Sequence, residues 1–127
     1  MRLIVVDDET DVQFLFKQKF RKEIKSGDMQ ISFALSGQSA LQIIEELENR
    51  SEYFILTDIN MPGMTGIELL KIIKSKYPEQ KVIVITAYGD EVNFNLAKKY
   101  GADYYFTKPL KFNSLKEILN YLISNKN

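Results

Sequence analysis

Five polar positions in this sequence fall directly after apolar runs. Asp7 and Asp8 follow Leu3-Ile4-Val5-Val6, and Asp58 closes Tyr53-Phe54-Ile55-Leu56-Thr57. Thr86 ends Val82-Ile83-Val84-Ile85, and Lys108 follows the run that ends at Thr107. Three carboxylates brought together repel one another and stay ionised most easily around a cation. Oxygen donors without imidazole or thiolate favour a hard ion, Mg²⁺ first, with Mn²⁺ as a substitute. Such an ion keeps open positions that phosphate oxygens fill. Lys108 adds a second positive charge and Thr86 a hydroxyl donor. A carboxylate in this setting can act as a nucleophile and become an aspartyl phosphate. Cation and ammonium would then stabilise the equatorial oxygens during transfer.

The elements that must hold these residues follow from the hydrophobic pattern. The continuous, largely β-branched run Leu3–Val6 suits a strand buried on both faces, and further strands are expected over Tyr53–Leu56, Lys81–Thr86 and Asp103–Thr107. Gln30 to Leu35 alternates Ile31, Phe33 and Leu35 as a second strand. Helical spacing is found from Thr10 to Lys25, with Val12, Leu15, Phe16, Phe20 and Ile24 on one face, and Ser26-Gly27-Asp28 ends it. Further helices are expected over Gln38–Asn49, Thr65–Tyr77, Asp90–Tyr100 and Phe112–Ser124. In the fourth, Val92, Leu96 and Tyr100 are expected to face the sheet and Phe94 the other way. Ser124 to Asn127 read as a loose end.

This order is βα repeated five times. It predicts a parallel sheet with helices on both faces, because each parallel crossover needs a helix. All strands then point one way, and ligands bind beyond their carboxyl ends. Alone, Asp7 and Asp8 would read as a polar loop or helix cap, Thr86 as a strand-end residue and Lys108 as a solvated lysine. Their convergence on one edge is what singles them out.

The 127 residues fit one domain, 1–127. Hydrophobic residues at 45% allow a full core, and 17 basic against 17 acidic residues give no nucleic-acid footprint. The chain has no Cys and no His, which excludes disulfides, thiolate or imidazole metal sites, and Ser-His-Asp or Cys-His catalysis. Any imidazole in the chemistry must come from another protein. The apolar runs are too short for a membrane span or a signal-peptide core, so a cytoplasmic location is expected.

Asp7-Asp8-Glu9, Asp58-Ile59-Asn60-Met61-Pro62-Gly63, Thr86-Ala87 and Lys108-Pro109 together resemble the receiver domain of two-component response regulators. The match runs along essentially the whole chain, with Gly66 and Gly101 also at the family's glycine positions. The resemblance implies a flavodoxin-like (βα)5 three-layer sandwich with sheet order 2-1-3-4-5. It implies Asp58 as phospho-acceptor, Mg²⁺ held by Asp8, Asp58, Asp7 and the Asn60 carbonyl, and Lys108 pairing with Asp58. It implies that Thr86 and Tyr105 switch and that the Lys108–Pro109 bond is cis. A sensor histidine kinase or histidine phosphotransfer protein would be the donor. The chain would catalyse only its own phosphorylation and dephosphorylation, not act as an enzyme on a separate substrate.

Asn60 and Tyr88 stand at the family's positions that tune dephosphorylation. The family signals through the fourth helix, fifth strand and fifth helix, where Phe94, Tyr104 and Tyr121 would form a surface for an output protein or a phosphorylation-dependent homodimer. Direct contact with nucleic acid or membrane is not expected. An output domain after the last helix is not expected, and a stand-alone relay protein and a receiver cut from a longer regulator are both open. Three other readings are open to the same residues. A flavin-mononucleotide carrier would want a hydroxyl-rich loop where Asp7-Asp8-Glu9 stands. A haloacid-dehalogenase-like phosphatase would want Asp-x-Asp there. A receiver-like module that only binds partners would not need the intact acidic pocket.

Overall fold

Alternate residues of the central strands enter two separate cores. A computed structural model describes residues 1–124. The strands are β1 (Arg2–Val6), β2 (Gln30–Ala34), β3 (Tyr53–Asp58), β4 (Lys81–Thr86) and β5 (Tyr104–Thr107). They pair in parallel in the order β2-β1-β3-β4-β5. The helices are α1 (Thr10–Lys19), α2 (Arg21–Ser26), α3 (Gly37–Glu45), α4 (Gly66–Lys76), α5 (Glu91–Lys99) and α6 (Phe112–Ser124). Ile4, Val6, Ile55, Val82 and Val84 face one core, shared with α3, α4 and α5. Leu3, Val5, Phe54, Leu56, Ile83 and Ile85 face the other, shared with α1 and α6. This period of two, buried on both sides, is why those strands read as unbroken apolar runs.

The first predicted helix bends. Phe20 leaves helical geometry at φ −105°, ψ 19°, and separates α1 from α2. Its ring is fully buried and meets Phe112 edge-on at 6.0 Å, beside Phe16. The hydrogen bonds Phe20 N to Phe16 O and Ile24 N to Phe20 O continue across the bend. The second helix stops at Glu45, earlier than the expected Asn49, because Arg50 folds back. Its Nε donates to Ile44 O at 3.1 Å and its Nη2 to Glu45 O at 3.2 Å, satisfying carbonyls that a longer helix would have used. A single 3₁₀ turn, Arg50–Glu52, then leads into β3.

The fourth predicted helix, α5, sits differently from its expected register. Val92 is 72% exposed, whereas Phe94 is half-buried. The small Ala97 lies fully buried on the sheet, with Leu96 and Tyr100 packed around it. Close approach at Ala97 sets the rotation of the helix, and that rotation brings Phe94 inward. The fifth predicted helix, α6, buries Leu115 and Leu119 and extends to Ser124, so Ser124 is helical rather than loose. Positions 125–127 of the expected tail lie outside the described residues.

At the amino ends of the strands, one carboxylate gathers several partners. Asp103 Oδ2 accepts from Val82 N and from Lys74 Nζ, both at 2.8 Å, and Lys74 also donates to Gln80 O at 2.7 Å. This ties α4, the start of β4 and the entry to β5 at the end of the sheet opposite the acidic residues.

Candidate functional site

Asp58 is the last residue of β3 and is 4% exposed. Its Oδ2 accepts a hydrogen bond from Lys108 Nζ at 3.0 Å. Its Oδ1 is buried and meets no hydrogen-bond donor. Such an atom costs about 1–3 kcal/mol unless something electropositive reaches it. Asp7 and Asp8 supply the neighbours: one oxygen from each of Asp7, Asp8 and Asp58 lies within 4.8 Å of the others. The set is all carboxylate, with one orphaned buried oxygen, and it fits a hard divalent cation.

Asp7 leaves β1 half-buried, and its Oδ1 accepts from Glu9 N at 2.9 Å, which turns the chain into α1. Burial pushes the Asp7 carboxyl above its ordinary value, and the Asp58 and Asp8 charges add to the push. The Glu9 N–H and Lys108 oppose it. For Lys108, burial is the largest influence and pulls its pKa down. The Asp58 hydrogen bond and charge, with Asp7 and Glu9, outweigh burial and leave it raised.

The Asp7 shift has a consequence for stability. A carboxyl whose folded pKa is raised is charged at a cost to the fold. That cost is full at neutral pH and disappears as pH falls below the unfolded value, near 3.8. In chelator-treated protein, Asp7→Asn is therefore expected to raise the melting temperature at pH 7, with the gain shrinking toward pH 3.8. The amide oxygen retains the bond from Glu9 N. Thermal melts across that range check it, and a pH-independent difference would refute an origin in the Asp7 charge.

Lys108 is placed by β5 and the loop after it. Lys108 N donates to Thr86 O at 2.9 Å, and the Lys108–Pro109 bond is cis. Thr86, 1% exposed at the end of β4, turns its hydroxyl away from Asp58 and toward Phe106 O at 3.4 Å. Tyr105 is half-buried, its ring edge-on to Phe94 at 4.4 Å and nearly parallel to Tyr104 at 6.0 Å. Phe94 is thus an inward contact of Tyr105, correcting the outward placement read from helical spacing. Tyr104 and Tyr121 are exposed, at 38% and 61%. Tyr88 is 87% exposed on the rim of an open groove of about 590 Å³ that also carries Asp7, Lys108, Val12 and Phe112.

Asn60 is exposed in the turn after Asp58. That turn is pinned by Gly66 N donating to Ile59 O at 2.9 Å. A Cβ on Gly66 would collide with the Asp58 carbonyl oxygen and stand 2.7 Å from Ile59 Cα. Two features were not read from the residues themselves. One is this backbone contact under the acidic cluster. The other is Thr57, fully buried, whose Oγ1 donates to Asp58 O at 2.9 Å. A Gly at the start of an amphipathic helix was the only signal for the first.

A parallel α/β sheet with a lysine-paired aspartate and two further carboxylates beyond its carboxyl edge defines a class of phosphoryl-accepting switch modules. A family model described as the response regulator receiver domain matches residues 3–120, and the chain belongs to that family. It is 32% identical over 116 residues to sporulation initiation phosphotransferase F of Bacillus subtilis, covering 91% of this chain and 88% of that one. It is 30% identical over 121 residues to the DNA-binding transcriptional regulator NtrC of Proteus hauseri, covering 95% of this chain but 24% of that protein. Among solved structures, a response regulator receiver domain protein from Clostridium thermocellum superposes with TM-score 0.85 at 30% identity, covering 98% of this chain and 95% of that one. The parallel α/β fold expected from the residues stands, and so do the sheet order and signalling role that the resemblance implied. No helix among the described residues is long and apolar enough to cross a membrane.

Proposed function

We propose that residues 1–127 act as a single receiver module in which Asp58 accepts a phosphoryl group from a phosphohistidine on a sensor kinase or histidine phosphotransfer protein. The observation that carries this is the asymmetry of the Asp58 carboxylate: Oδ2 on Lys108 Nζ at 3.0 Å, Oδ1 buried without a donor beside Asp7 and Asp8. In the transfer a carboxylate oxygen of Asp58 forms the O–P bond as the N–P bond to the donor imidazole breaks. Lys108, already within reach of Asp58, follows the negative charge onto the phosphoryl oxygens. Asp7, Asp8, Asp58 and the Asn60 backbone carbonyl would hold Mg²⁺ or Mn²⁺. When bound, the ion supplies positive charge to the transferring oxygens and lets three carboxylates stay ionised together.

Thr86 gives up only a 3.4 Å bond to Phe106 O when its hydroxyl turns toward a phosphoryl oxygen. Tyr105 then follows, leaving its contact with Phe94. The surface of α5, β5 and α6, with Phe94, Tyr104 and Tyr121, presents the changed state to an output protein or to a second copy. The module works in the cytoplasm, catalyses its own phosphorylation and dephosphorylation, and needs no nucleic acid or membrane contact.

The test is incubation with Mg²⁺ and a small phosphodonor, followed by intact-mass measurement and mapping of the label. Mg²⁺-dependent labelling on the peptide containing Asp58 supports the reading, and a label elsewhere removes it. Tyr88 and Asn60 set how long the label lasts. The Tyr88 ring, on the rim beside Asp7 and Lys108, obstructs the approach of water more than Asn60 assists it. Tyr88→Ala is expected to speed loss of the label about tenfold or less, a barrier change near 1.4 kcal/mol. Unchanged or slower decay would dismiss Tyr88 as a shield.

A further inference from the structure

The outer edge of the sheet, two positions from the strand that carries Asp58, holds a second surface. β2 is an edge strand, hydrogen-bonded to β1 on one side only. Gln30 N donates to Met1 O, and Ala34 O accepts from Asp7 N. In a parallel strand both backbone groups of a residue point the same way and alternate along the chain. Gln30, Ser32 and Ala34 therefore turn theirs toward β1, while Ile31 and Phe33 turn theirs outward. Among the described residues those outward groups face no sheet partner.

The side chains of Ile31 and Phe33 also line a groove of about 370 Å³, closed on its other side by Lys17, Arg21, Ile24 and Lys25. The floor is apolar and the rim is cationic. The chain as a whole is electrically balanced, with 17 basic and 17 acidic residues, yet positions 17–25 (KQKFRKEIK) hold five cations and one acid. That acid, Glu23, is taken up by Lys116 at 2.9 Å.

We propose that this edge docks an extended acidic segment of a partner protein, added beside β2 as a sixth strand. Its backbone would pair with Ile31 and Phe33. The side chains on its groove side, two residues apart, would be apolar where they meet Ile31 and Phe33 and carboxylates where they meet Lys17, Arg21 and Lys25. The features select this occupant over others. A second copy pairing edge to edge would bring two cationic rims together, the repulsion by which sheet edges avoid self-association. A nucleic acid would satisfy the cations but offers no row of N–H and C=O groups at strand spacing.

The test uses a short blocked peptide in which Glu and Val take turns at every second position with Thr between them (the Glu-Val peptide), with Lys in place of Glu as control (the Lys-Val peptide), and follows backbone amides by NMR. The Glu-Val peptide is expected to slow hydrogen exchange at the Ile31 and Phe33 amides, and the Lys-Val peptide to leave them unchanged. Affinity should fall as salt rises, and about tenfold or more in the double variant Arg21→Glu, Lys25→Glu. Phosphorylation at Asp58 should be normal in that variant, which separates lost docking from lost folding. Unprotected Ile31 and Phe33 amides at saturating Glu-Val peptide would overturn the proposal. So would equal binding of the Lys-Val peptide, indifference to the charge reversal, or protection traced to self-association or to an oligonucleotide.

Discussion

Asp58→Asn is expected to remove phosphoryl incorporation altogether, by at least about three orders of magnitude, while leaving a folded chain. Losing a covalent nucleophile has effects of that size or larger elsewhere. The substitution keeps the shape of the side chain and an oxygen that can accept from Lys108 Nζ, now 3.0 Å from Asp58. It removes the negative charge that makes the oxygen nucleophilic. It also relieves the crowding of three carboxylates within 4.8 Å, so chelated protein should not lose stability. Intact mass after incubation with Mg²⁺ and a small donor, with circular dichroism for the fold, reads both parts. Labelling that persists on Asp7 or Asp8 would move the nucleophile to β1 and favour the phosphatase-like reading.

The largest effect on folding is expected at Gly66. Gly66→Ala places a methyl group against the Asp58 carbonyl oxygen and within 2.7 Å of Ile59 Cα. Both obstacles are backbone, so no rotamer change clears them. Overpacking against main chain costs about 3 kcal/mol or more, or roughly 10 °C in melting temperature for a domain of this size. The strand end that carries Asp58 must shift to make room, so Mg²⁺ affinity should fall as well. Gly63 is the control. It has φ 72° with open space around its Cα, so Ala there meets only backbone strain of about 1–2 kcal/mol. Comparable melting of the two variants would show that the α4 entrance yields more easily than its contacts imply.

The strands and their polar ends were legible because both follow from local pattern. A parallel sheet turns the order of apolar runs into a shared edge, so Asp7, Asp8, Asp58 and Lys108 could be brought together from the sequence alone. What was not legible depends on partners distant in sequence. The bend at Phe20 answers to Phe112, the early end of α3 to the side chain of Arg50, and the rotation of α5 to the fit of Ala97 against the sheet. Val92, Leu96 and Tyr100 repeat every four residues, a stripe that drifts around the helix, and the smallest residue decided which side faced in. The same holds within the site. Spacing placed Thr86 on the edge but not the direction of its hydroxyl, which is set by a carbonyl of β5.

The Asp103 junction constrains how β4 and β5 can move against each other. β4 and β5 are fastened at their starts, where Asp103 binds Val82 N and Lys74, and they run from there toward Thr86 and Thr107. A strand of four residues held at its heel cannot slide along its neighbour. It can only pivot. A displacement at Thr86 or Lys108 is therefore converted into a tilt with the junction as fulcrum. The lever arm is shortest at Tyr104, next to Asp103, and longest at Thr107, so a tilt carries the carboxyl end of β5 sideways most and the rings at its start least.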